Sequence, residues 1–203
     1  MIKNIIFDFG DIFINLDKEA TFVELAKLGV TGITEEMMDV VRKYEVGAIS
    51  TEEFTQFFHV EFGIPKTDLV TAWNAILLDF PIQRLSFLKE LATSKKYRLF
   101  LLSNTNDLHI TWIQEHWGDA LYAEFKNCFE QFYLSHEIHL RKPNTAIYEF
   151  VLQQNDLIAE ETFFIDDTAE NTIAAEKLGI KTWNLIPGEE DIVDLLTKKE
   201  FKA

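Results

Sequence analysis

The chain has 203 residues, 47% of them hydrophobic and 26% charged, with a formal net charge of −15 and one cysteine, Cys128. At about 100–200 residues per domain this is one domain, or one domain with a smaller insert, and it is long enough to bury a core without crosslinks. The acid excess opposes a nucleic-acid backbone, the lone cysteine excludes an internal disulfide and fits a reducing cytoplasm, and no apolar run reaches the ~18–20 residues of a bilayer span.

The N-terminus lacks the basic and long apolar stretches of a signal peptide, so the mature chain is expected to begin at or near Met1. In chain order, Ile5-Ile6-Phe7, Leu99-Phe100-Leu101-Leu102, Phe132-Tyr133-Leu134, Phe163-Phe164-Ile165 and Trp183-Asn184-Leu185-Ile186 are short apolar runs of the kind buried on both faces of a parallel sheet. Between them lie segments with helical spacing, such as Leu85, Leu88, Leu91 and Ala92, or Ile147, Tyr148, Val151 and Leu152. This alternation predicts a doubly wound α/β fold.

Residues of about 17–81 break the alternation, with helical stretches near 18–29, 34–46, 50–62 and 66–79 and no strand. Thr34 with Glu36 nearby, and Ser50 followed by Glu53, read as helix N-caps; Gly29 and Gly47 read as helix ends, and Gly63-Ile64-Pro65 as a break. The expected organisation is an α/β core of residues 1–16 and 82–203, with a small all-helical domain of residues 17–81 inserted after the first strand.

Ligands of open α/β sheets bind beyond the carboxyl ends of the strands. There the sequence places Asp8, Ser103-Asn104 and Asp166-Asp167, with Arg141-Lys142-Pro143 a few residues after the third strand. Singly, each reads as an ordinary loop or surface residue. Together they are three carboxylates, a hydroxyl and an ammonium converging from distant segments. Clustered carboxylates repel one another unless a divalent cation neutralises them, and hard oxygen donors select Mg²⁺. A tetrahedral anion would fit beside that ion, with one carboxylate free to act as a nucleophile, which describes phosphoryl transfer.

The strings Ile5-Ile6-Phe7-Asp8-Phe9-Gly10, Leu101-Leu102-Ser103-Asn104-Thr105-Asn106, Arg141-Lys142-Pro143 and Phe164-Ile165-Asp166-Asp167-Thr168-Ala169-Glu170-Asn171 resemble the haloacid dehalogenase superfamily in order and spacing over the whole chain. The insert resembles the type-1 helical cap of its phosphatases, and Glu45 to Phe54 is similar to caps of small bacterial sugar-phosphate phosphatases, closest to the α-glucose-1-phosphate phosphatase group. The resemblance implies that Asp8 is the nucleophile and a Mg²⁺ ligand, that Gly10 gives the metal its backbone carbonyl, and that Asp167 is a direct ligand with Asp166 its partner. It implies that Ser103 and Asn104 bind the phosphoryl oxygens and that Lys142 neutralises both nucleophile and phosphate. A small phosphorylated metabolite, a sugar phosphate or similar, would be the substrate, and the protein would be a monomer or homodimer without a nucleic-acid or membrane partner.

One departure matters. Phosphatases of this superfamily usually carry a second Asp two residues after the nucleophile as general acid and base, and here that position is Gly10. General acid–base help is worth about 10²–10⁴-fold, so easy leaving groups such as anomeric, acyl or aryl phosphates are expected to be favoured. Asp11 is a possible substitute, and its other reading is a loop cap. A non-catalytic phosphometabolite-binding protein stays open as an alternative. A 2-haloacid dehalogenase also remains, though such a reaction needs no cation and gains nothing from Asp166 and Asp167 beside Asp8.

None of the five histidines has zinc-motif spacing, and His109 reads as a helix-start residue on a partly wet surface, or as a group near the phosphate. Phe54, Phe57 and Phe58 read as core, Glu189-Glu190-Asp191 as a solvated helix start, and Tyr44, Glu45 and Trp73-Asn74 as the face that meets the non-phosphate part of the substrate.

Overall fold

The apolar runs become five strands: β1 (Asn4–Phe7), β2 (Arg98–Ser103), β3 (Gln131–Leu134), β4 (Thr162–Asp166) and β5 (Lys181–Asn184). A computed structural model describes residues 1–202. All four neighbouring pairs are parallel and the spatial order is β3-β2-β1-β4-β5. β1 sits at the centre because Ile5, Ile6 and Phe7 have no solvent exposure on either face. Ile5, Phe7, Leu101, Phe163 and Ile165 feed a core on one side, while Ile6, Phe100, Leu102 and Phe164 feed a second core on the other.

Between β1 and β2 the chain forms α1 (Ala20–Lys27), α2 (Glu35–Glu45), α3 (Thr51–Phe62) and α4 (Lys66–Asn74), then α5 (Ile82–Ser94) returns to the sheet. Thr34 caps α2 by accepting from Met37 N–H, and Ser50 with Glu53 forms a full capping box on α3. The first four helices enclose their own core of Leu25, Met37, Tyr44, Phe54, Phe58 and Leu69. The two chain segments that lead into and out of this helical insert run side by side: Asn15 N–H donates to Asp79 O, Leu78 N–H to Asn15 O and Asp17 N–H to Ile76 O. Asn15 Nδ2 adds a bond to the Asp79 carboxylate at 3.0 Å.

The remaining helices are α6 (Asp107–Lys126), bent at Gly118, then α7 (Ser135–Ile138), α8 (Thr145–Gln154), α9 (Ala169–Glu176) and α10 (Lys199–Lys202). The acidic run near the C-terminus does more than meet water. Asp191 accepts from Val193 N–H and pairs with buried Arg84 at 3.1 Å, and Glu190 accepts from Trp183 Nε1 and Ile186 N–H. Arg84 also donates to Phe13 O and to Asn15 Oδ1, so it ties this segment to the base of the insert.

Candidate active site

Parallel strands present their carboxyl ends on one edge, and the polar residues placed there by sequence meet. Asp8 follows β1, Ser103 ends β2, Asp166 ends β4 and Asp167 follows it. Carboxylate oxygens of Asp8, Asp166 and Asp167 lie within 4.8 Å of one another. Lys142 reaches them from the loop between α7 and α8. Its Nζ lies 2.8 Å from Asp8 Oδ1 and 2.6 Å from Asp166 Oδ2, with 1% of the side chain exposed.

Burial opposes every charge in this cluster, so the partners decide what remains ionised. Asp8 is pushed up to about 7, by burial first and by Asp166 and Asp167 next, against the lowering effect of Lys142. Lys142 is disfavoured by burial but is held above its ordinary value by Asp166 and Asp8. Asp166 is held by three donors: Oδ1 accepts from Thr168 N–H at 2.8 Å and Asn171 Nδ2 at 3.0 Å, and Oδ2 from Lys142. Burial also raises Asp167, countered by Lys18.

Hard oxygens in excess over cations are the donor set that Mg²⁺ takes, so the cluster fits that ion. Lys18 is the residue the sequence reading passed over. Its ammonium bridges Asp167 and Asp11, lying 3.0 Å from Asp11 Oδ2. Nothing in the string around Lys18 marks it, because only folding brings the start of the insert back over the β4 edge.

Two expected roles look different in three dimensions. The Asn104 side chain clamps the backbone of Lys142, donating to its carbonyl and accepting from its N–H, both at 2.9 Å. Its amide thus positions Lys142, with the second Nδ2 hydrogen and the backbone N–H left for an anion. Asp11 has a left-handed φ of 54°, and its Oδ1 accepts from Leu16 N–H at 3.0 Å while Oδ2 pairs with Lys18. Both oxygens thus hold the turn between β1 and the insert.

His109 stands in the first turn of α6 and is half-buried. Its ring stacks on Trp73 at 5.8 Å, Nδ1 meets Asn106 Nδ2 and Nε2 meets Trp73 O, and burial depresses its pKa to about 4. Glu45 and Trp73 line the large cavity above the site, whereas Tyr44 is buried against Phe54 and its hydroxyl accepts from Leu108 N–H. Glu45 further pairs with Arg141 at 3.0 Å, and its backbone carbonyl accepts from Ser135 Oγ at 2.6 Å, which fixes the end of α2 onto the segment after β3.

A doubly wound parallel sheet with a carboxylate and lysine cluster at its carboxyl edge, under a helical insert, defines a hydrolase built around an acidic Mg²⁺ site. The chain belongs to the haloacid dehalogenase-like hydrolase family, whose model matches residues 5–185. A family enzyme from Bacteroides thetaiotaomicron solved as a magnesium complex superposes with a TM-score of 0.86 at 34% identity, covering 97% of this chain and 99% of that one. A D-ribitol-5-phosphate phosphatase of the same organism is 26% identical over 190 residues, 90% of this chain and 91% of its own. A sesquiterpene phosphatase of Aspergillus oryzae is 27% identical over 183 residues, covering 88% of this chain and 87% of its own. Among the described residues, no helix is long and apolar enough to cross a membrane.

Proposed function

We propose that the protein is a Mg²⁺-dependent phosphatase that hydrolyses a small phosphate monoester through an aspartyl-phosphate on Asp8. The observation that carries this reading is the Lys142 ammonium buried between Asp8 and Asp166. A cation kept there at the expense of burial has a use when negative charge arrives and moves, as it does when a phosphoryl group passes to a carboxylate. The relatives named above are phosphatases of a polyol phosphate and of a terpenoid, two very different organic groups on the same reaction.

In the first step an Asp8 oxygen bonds to phosphorus as the ester P–O bond breaks and the leaving oxygen takes a proton from solvent water. Water then attacks phosphorus, the bond to Asp8 breaks, and inorganic phosphate leaves. Lys142 holds the charge of Asp8 before transfer and that of the phosphoryl oxygens after it. The Ser103 hydroxyl and the Asn104 backbone N–H are assigned to those oxygens. Asp8, Asp166, Asp167 and the Gly10 carbonyl would hold Mg²⁺, which when bound supplies Lewis-acid neutralisation of the phosphoryl group. Asp11, with both oxygens engaged, is read as a holder of the turn and of Lys18 instead of a proton donor. The insert, residues 17–81 in the sequence reading, acts as a cap that excludes water.

The test is phosphate release from alkyl, aryl, acyl and sugar phosphates, with Mg²⁺ or EDTA, by the native chain and Asp8→Asn. Release that needs both Mg²⁺ and Asp8 is expected, and release undiminished in Asp8→Asn overturns the mechanism. Mg²⁺-linked thermal stabilisation by esters with no phosphate released would favour a binding protein instead.

A further inference from the structure

A cavity of about 660 Å³ runs from the carboxyl edge of the sheet into the helical insert. Gly10, Lys18, Ser103 and Asn104 line one end, so it is continuous with the proposed phosphate position. Beyond them the walls are apolar: Phe22 and Leu25 from α1, Val30 and Ile33 from the following loop, Met37 and Met38 from α2. Ile14, Leu16, Ile76 and Leu77 close the side nearest the sheet. The size is that of a pocket for a whole small organic ligand, well beyond what a phosphate group fills.

Most of the polar side chains in this part of the cavity are already engaged within the protein. Thr21 Oγ1 donates to Trp73 O at 3.1 Å, Trp73 Nε1 donates to Asn106 Oδ1, His109 bridges Asn106 and Trp73 O, and Glu45 accepts from Arg141. A polyol entering here would exchange water for groups with little left to offer, at about five- to a hundredfold in affinity for each hydroxyl left unpaired. At the mouth, Phe22 and Ile33 are 46% and 53% exposed, large apolar side chains on the lining of one cavity. Even the position of the absent second Asp is apolar, because Leu16 fills the space beside Gly10.

We propose that the ester this site hydrolyses carries a hydrocarbon group, an alkyl, branched or aryl body poor in hydroxyls, with its phosphate at Ser103 and its chain along α1 and α2. The inference rests on the phosphatase reading and names its substrate class. Met37 and Met38 are unbranched and adaptable, suited to a chain without directional contacts.

The experiment measures kcat/KM with Mg²⁺ for methyl, butyl, hexyl and octyl phosphate beside glucose 6-phosphate. Transfer of each methylene from water into the cavity is expected to raise kcat/KM two- to fourfold until the chain fills it, and hexyl phosphate is expected to exceed the six-carbon sugar ester. Met38→Asp, on a partly exposed wall, is expected to cut the octyl-to-methyl ratio at least tenfold. A flat series, or a sugar ester preferred over the alkyl ester of equal carbon number, overturns the inference while leaving the phosphatase reading standing. If no ester is hydrolysed that reading falls, and the same series of alkylphosphonates in a Mg²⁺ thermal-shift measurement decides the cavity: stabilisation rising with chain length supports it and none overturns it.

Discussion

Leu16 stands where a side chain at Gly10 would begin: a Cβ added to Gly10 would lie 2.6 Å from Leu16 Cδ1. Gly10 has no left-handed φ, so the backbone itself accepts an ordinary residue, and only a flexible methyl stands in the way. Gly10→Asp combined with Leu16→Ala therefore has room for the missing acid. Hydrolysis of ethyl phosphate is expected to rise at least tenfold, within the ~10²–10⁴ scale of general acid–base help. p-Nitrophenyl phosphate, whose leaving group needs little protonation, gains far less. Equal gains for both esters would sink the idea that position 10 limits proton delivery.

Asp8 and His109 give the metal-free protein two opposed responses to pH. Asp8 sits at about 7 in the fold against an ordinary ~3.9, so the folded state keeps a proton the unfolded chain has lost, and stability falls as pH rises from about 4 to 7. His109 sits at about 4 against ~6.5, so the unfolded chain takes a proton the fold refuses, and stability falls as pH drops from 6.5 towards 4. Each slope is at most about 1.4 kcal/mol per pH unit. In EDTA, urea unfolding of Asp8→Asn between pH 4.5 and 6.5 is expected to show stability rising with pH, and His109→Asn to show it falling. Mg²⁺ favours the carboxylate, so the native chain with Mg²⁺ should follow the Asp8→Asn trend. Parallel slopes in the two variants would refute the assignment.

Lys142→Met keeps the length of the side chain and removes the charge that two buried carboxylates share. Breaking such a pair from one side costs about 3–5 kcal/mol. Most of that loss is expected at pH 8, less at pH 5, and adding Asp8→Asn should restore a part of it, as a double-mutant cycle in urea would measure. Strictly additive losses would mean that Lys142 and Asp8 are not coupled.

The Gly47 backbone passes so close to α7 that an added Cβ would sit 2.1 Å from His136 O, and its φ is +64°. Gly63 has a similar φ of +68° but open space around it. Both substitutions to Ala pay about 1–2 kcal/mol for the left-handed backbone. Gly47→Ala alone must also push the end of α2 away from Ser135 and Arg141, and is expected to lose at least ~1 kcal/mol more than Gly63→Ala by thermal unfolding. Equal losses would show that this contact is not what fixes the insert.

The strands, the four insert helices and the meeting of Asp8, Lys142, Asp166 and Asp167 were legible because they rest on local signals: continuous apolar runs, capping residues, and the rule that parallel strands end on one edge. Lys18, the use of the Asn104 amide on Lys142, and the stacking of His109 on Trp73 were not. Each depends on which of several polar partners a side chain meets after the insert folds back on the sheet. Asp191 does cap a helix start, as its sequence suggests, but the pairing of Asp191 with Arg84 and of Glu190 with Trp183 and Lys198 was not legible. The character of the cavity was hidden too, because the stripe of Met37, Met38 and Val41 reads as ordinary core until its far side is found open.

The paired segments at residues 15–17 and 76–79 make the insert a graft held on one stem. Its first and last residues leave the sheet at the same point, so the loop-closure cost of about sixty intervening residues is met by the stem's own hydrogen bonds and is not charged to the pairing of β1 with β2. Asp8, Lys142 and Asp166 lie wholly outside the graft. Reaction and selectivity are in this sense separately heritable: provided Lys18 is kept, the helices could be exchanged for another set at that stem, giving a new appetite to the same catalyst.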